Sequence, residues 1–128
     1  MSASSVAIPI LKFCAGTLPC AVAARDVVGV RQASSDRPAL WQLLGLQPAS
    51  AADAAGTWLL GLGHDRAFAD ILVQGPIEIE DVTASDVLKR PPALVLPNND
   101  LVFGFVRRAR GLVVLLDIPT LVGLAQQK

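Results

Sequence analysis

The chain has 128 residues, enough for one domain that buries about two-thirds of its unfolded surface. Apolar residues make up 52% and charged ones 17%, which excludes a disordered chain. Eleven basic residues against 11 acidic ones leave no net charge, so no broad electrostatic grip on nucleic acid or anionic lipid is expected.

Mean hydropathy is +0.50, which calls for a well-filled core or for apolar surface kept for a partner. No window of 18 residues is free of charge and proline, so no membrane span is expected. VAIPILKFCAGTLPCAVAA has no basic residue ahead of Val6 and carries Lys12 inside its apolar run, so it does not read as a secretion signal.

Taken in chain order, residues 6–15 read as a strand, Gly16 and Thr17 as a turn, and residues 18–23 as a return strand. Cys14 and Cys20 flank that turn. Two thiols make no disulfide framework, and small buried hydrophobes in a reducing cytoplasm fit them better. Residues 24–29 can form one helical turn closed by Gly29, and residues 32–38 a polar loop. ALWQLLGL, residues 39–46, places Leu40, Leu43 and Leu44 on one face of a short helix with Gly45 as its stop. Trp41 points to the wetter side of that helix, as a plug over the core or as an anchor for a partner. PASAADAAG, residues 48–56, is a linker of small residues.

Residues 57–62 and 67–73 read as a hairpin about GHDR. PIEIEDV, residues 76–82, alternates with period two: Ile77 and Ile79 are expected on a buried face, Glu78 and Glu80 on a wet one. With Asp81 those acids make a solvated face or an acidic docking strip. Residues 83–92 open on a helix-cap signal at Thr83 or Ser85 and stop at Pro91 and Pro92. Residues 93–96, 101–107 and 111–116 are three further short strands. Short strands at this spacing imply small barrels.

Asp117 interrupts the apolar GLVVLLDIPTLVGL, and its expected role is punctuation. As a helix N-cap its carboxylate accepts the N–H of Thr120, and Pro119 sits in the first turn, where no N–H is needed. Leu121, Val122 and Leu124 then return to the core. LWQLLGL at 40–46 lines up with IPTLVGL at 118–124, a shift of 78 residues that suggests two similar halves, each ending in a helix.

Candidate chemistry is sparse. Arg107, Arg108 and Arg110 read as a solvated loop. His64, the only histidine, stands beside Asp65 in a turn. Gly61 and Gly63 lack the lysine and following helix of a phosphate loop, and no His, Cys or carboxylate spacing fits a metal; neither metal nor cofactor is expected. The enzymatic or ligand-binding alternative is a small barrel using Cys14, Cys20 and His64 in one cleft.

The ordered series of segments resembles the CheW family of bacterial chemotaxis coupling proteins. Residues 6–16 with LPCAVAARDVVGV resemble its opening hairpin and "V-x-E-V" turn, read here as Ala24, Arg25, Asp26 and Val27. ALWQLLGL is similar to its "D-L-x-x-L-L-G" helix, with Ala39 in place of the usual Asp cap. TWLLGLGHDRAFADILVQGPIEIEDVTASDV resembles its central hairpin, and LVFGFVRRARGLVVLLDIPTLV its closing segment.

The resemblance implies a mostly β fold of two small SH3-like barrels with short helices after strands. Residues 1–47 would contribute mainly to the first barrel and 57–124 mainly to the second. It implies a cytoplasmic, non-enzymatic adaptor between the tip of a methyl-accepting receptor and the regulatory domain of a CheA-type kinase. Ala24, Arg25, Val27 and Trp41 would be partner-binding. Between Gly29 and Leu40, however, the family's proline-rich turn, its "G-x-x-N-L-R-G" segment and about two strands are missing. The first barrel is therefore expected to be truncated and kinase docking weakened or lost, and pairing through an exposed strand edge, with itself or another CheW-like protein, is expected.

Overall fold

A computed structural model describes residues 6–32, 37–48, 56–89, 99–109 and 111–126. The expected mostly β architecture is present: eight strands and two helices among these residues. The strands are β1 (Ile8–Ala15), β2 (Leu18–Ala23), β3 (Val27–Gln32), β4 (Thr57–His64), β5 (Ala67–Val82), β6 (Val87–Lys89), β7 (Val102–Arg108) and β8 (Gly111–Leu116). The helices are α1 (Leu40–Leu43) and α2 (Ile118–Gln126). One sheet holds all eight strands in the order β3-β4-β5-β1-β2-β8-β7-β6.

The sheet closes on two cores. One gathers Leu11, Phe13, Cys20, Val22, Leu60, Leu62, Ile71, Val114 and Leu116 with the apolar faces of α1 and α2. The other gathers Ile10, Ala21, Val82, Val106 and Val113, with Leu115 against it. Alternate residues of β1, β2 and β8 therefore point into opposite cores, because successive strand side chains leave opposite faces of the sheet. These three strands form a wall buried on both sides. The physical reason is legible in their apolar runs, in which Lys12 of β1 is the one charged residue, since a strand buried on both faces has little wet face to mark with polar residues. Each buried leucine there is stabilised by roughly 1.5–3 kcal/mol relative to exposure.

β3 is the sheet's terminal strand on the first-core side and pairs with β4. Ala39 bridges to Leu72 of β5, and α1 begins at the next residue. The second core is closed by charge. Arg108 of β7 meets Glu80 of β5 at 3.3 Å and Asp86 at 3.0 Å, and Lys12 of β1 meets Glu80 at 3.6 Å. β5 and β7 are not neighbours in the sheet, so these pairs tie its two sides together.

Four local expectations are corrected. Gly29 closes no helical turn: a 3-10 turn at Ala24–Asp26 ends at Val27, and Gly29 lies inside β3. The β4–β5 turn is tighter than GHDR, with only Asp65 and Arg66 at φ 51° and 70°, because His64 still pairs with Ala67. Residues 67–73 and 76–82 are one 16-residue strand, β5, which passes from β4 to β1. Within it, Ile79 is 69% exposed and Glu80 is the half-buried residue, the reverse of the expected faces. Glu80 turns inward because Lys12 and Arg108 are there to pair with it. The expected strand at 93–96 and the linker at 49–55 lie outside the described residues.

Two glycines are required where they stand. Gly16 has φ 65°, and a Cβ there would lie 2.3 Å from the Gln47 carbonyl oxygen. Its N–H donates to buried Gln74 Oε1 at 3.0 Å, which fastens the β1–β2 turn to β5. Gly45 has φ 72° and ends α1 as anticipated.

Candidate functional site

An open groove of about 1090 Å³ lies beside the second core, lined by residues that follow β2 and by residues of β6 and β7. Arg25, Asp26 and His64 line it, as do Leu88, Lys89 and Phe103. Ile8 and Ile10 of β1 line it as well, and the first turn of α2 borders it. Phe103 is 60% exposed and Ile8 39%, so the groove presents apolar surface to solvent. Its charges are mixed: Arg25 and Lys89 are basic, and Asp26, Asp100 and Asp117 acidic. Such a surface suits an amphipathic protein segment better than a strongly charged ligand.

The residues singled out in the sequence are only partly brought together. Arg25 is exposed and lines the groove. Ala24, beside it in the 3-10 turn, is half-buried, and Val27 is half-buried against the first core. Trp41 is elsewhere. Val27 sits on the β3 side of the β4–β5 pair, whereas α1 starts from the bridge of Ala39 to the opposite side of β5. Trp41 is half-buried and packs against the first core, the geometry of a plug.

Asp117 stands at the groove's border and performs the expected capping. Its Oδ2 accepts the Thr120 N–H at 3.3 Å and also the Thr120 hydroxyl. Sequence reasoning missed Asp26, Leu88, Lys89 and Phe103 as groove residues. Phe103 had a signal: β7 buries Val102, Gly104 and Val106, so an aromatic between them faces out.

The cysteine–histidine alternative is not assembled. Cys14 pairs in register with Gln74 and His64 with Ala67, seven positions apart on β5, which is about 20 Å. Cys20 is fully buried and burial pushes its thiol far above the usual range; the half-buried Cys14 thiol is raised too, by burial and then by nearby Glu78. Neither is an activated nucleophile, because activation needs a lowered thiol pKa. Both are free, consistent with register positions one pair out of step, Cys14 opposite Pro19 and Cys20 opposite Phe13. Among the described residues no helix is long and apolar enough to cross a membrane.

No family profile matches the sequence, and no curated protein sequence does either. The crystal structure of the scaffolding protein TtCheW from Thermoanaerobacter tengcongensis is similar to this chain with a TM-score of 0.70. The match covers 88% of this chain and 90% of that one, at 11% sequence identity. The double-sided wall, the paired cores and the two leucine-rich helices thus build a CheW-like fold.

Proposed function

We propose that this chain is a non-enzymatic adaptor of a bacterial chemosensory assembly, working in the cytoplasm. The groove bordered by Arg25 and Phe103 takes the signalling tip of a chemoreceptor, a long helical hairpin. The observation that carries this reading is a CheW-like fold whose groove leaves Phe103 and Ile8 exposed to solvent. Exposed aromatic and aliphatic groups rimmed by charge are the usual makings of a helix-binding surface. Docking of a CheA-type kinase is weakened or lost; the shortened sequence between Gly29 and Leu40 supports this part. Ala24 and Val27 shape the turn that presents Arg25, and Trp41 seals the first core.

The test is a binding assay of the purified chain against a receptor signalling tip and against a kinase regulatory domain. Receptor binding that falls with Phe103→Asp or Arg25→Glu, at unchanged melting temperature, is the expected result. Kinase binding as tight as that of an untruncated family member would refute the trimmed-adaptor part. Turnover of a substrate that depends on His64 would refute the reading altogether.

A further inference from the structure

We propose that the outer edge of β3 docks a second copy of this chain through an antiparallel, two-fold contact. The two ends of the sheet are finished differently. Among the described residues β6 spans three positions and carries Lys89, and lysines on an edge are devices that discourage edge-to-edge pairing. β3 is six residues long with five of them exposed, and among the described residues it pairs only with β4. It contains no lysine or proline, and Val28 and Val30 are exposed on it. A bulge interrupts its register at Val28, but residues 29–32 follow β4 one for one.

The charge pattern and the side-chain order suit a copy of the same chain as occupant. A two-fold contact sets each charged group near its own image, so it tolerates only charges already compensated. Arg31, the one charge of β3, is compensated in place: its Nη2 lies 3.1 Å from Asp70 Oδ2. The side-chain order is also self-complementary about Val30. An axis there sets Val30 against Val30 and the long Arg31 against Gly29, beside which the space is open. Apolar surface continues from the edge, since Val28 and the exposed Phe68 meet over Gly63, where a Cβ would lie 2.9 Å from the Phe68 ring and 3.2 Å from Val28. The inference does not rest on receptor binding.

Sedimentation equilibrium of the unmodified chain over a wide micromolar range, with hydrogen exchange at its two ends, tests the proposal. A reversible dimer is expected, with β3 amides exchanging more slowly at high concentration and β6 amides unchanged. Val28→Lys, which adds a guarding charge, and Arg31→Glu, which leaves two carboxylates uncompensated, should each weaken the dimer by about tenfold or more. A chain that is monomeric throughout, or a dimer that survives both substitutions, overturns it. Should Val28→Lys fail to fold, Arg31→Glu at a highly exposed position and the concentration-dependent exchange still decide.

Discussion

α1 and α2 carry the same seven-residue pattern and bury it alike. Leu40 and Ile118, Leu43 and Leu121, Leu44 and Val122 are all buried in the first core, with Leu46 and Leu124 half-buried against it. Yet α1 is four residues long and α2 nine. The difference lies at the ends. Asp117 caps α2, which runs through Gly123 until Gln126 donates to the Phe68 carbonyl at 3.0 Å. Ala39 offers α1 no side-chain cap, and Gly45 turns left-handed while the Leu46 N–H returns to the Trp41 carbonyl at 2.7 Å. An identical apolar face fixes where a helix docks; caps and backbone sign fix how far it runs.

The comparison is tested most severely in the core. Leu40→Ala and Leu121→Ala, both at fully buried positions, should each cost about 2–5 kcal/mol in urea unfolding. A loss at only one of them would show that the two faces are not equivalent. Next in size, Ala39→Asp would restore the cap that α1 lacks, but Ala39 is 3% exposed and bridged to Leu72. Burying a polar group there should cost about 1–3 kcal/mol, more than a cap returns. A rise in melting temperature would disprove burial as the reason for alanine. The reciprocal change, Asp117→Ala, should remove about 0.5–2 kcal/mol of stability in the same urea unfolding.

The two glycines should respond with opposite signs. Gly45→Ala forces alanine into φ 72° and destabilises by about 1 kcal/mol. Gly123→Ala, in a helix with open space at its Cβ, stabilises by up to about 1 kcal/mol. Equal effects would erase the distinction between stopping and passing through.

The smallest effect concerns a third cap, at Thr83. The Thr83 N–H donates to Asp86 Oδ2 at 3.1 Å and holds that carboxyl below its ordinary range, with the Thr83 hydroxyl and Arg108 adding to it. A lowered folded pKa gives stability that is fully present above the ordinary carboxylate value and is lost as pH falls through the lowered one. Stability should therefore decline in acid, and Asp86→Asn should flatten that decline slightly when unfolding is followed between neutral and acidic pH.

Much of this was legible in the residues. The hairpin turn at Gly16, the helix at Leu40, the Asp117 cap and the buried Cys20 all follow from local chemistry, because a turn glycine, an i, i+3, i+4 stripe and an N-cap act within a few positions. What escaped depended on distant partners. Period two correctly marked β5 as a strand but placed Ile79 inside and Glu80 outside; only Lys12 and Arg108, far off in sequence, make an inward carboxylate tenable. The groove was half visible for the same reason. Arg25 stood in a recognisable turn, whereas Phe103 and Leu88 reach it through the curl of the sheet.

The wall of β1, β2 and β8 carries one more implication. Its first two strands come from the beginning of the chain and its third from near the end, joined in parallel at Cys20–Val114 and Ala21–Leu115. Severing the polypeptide midway would strip both hydrophobic compartments of a side at once, so neither portion should persist as an autonomous fragment. Force or heat applied anywhere is expected to melt the molecule in a single step.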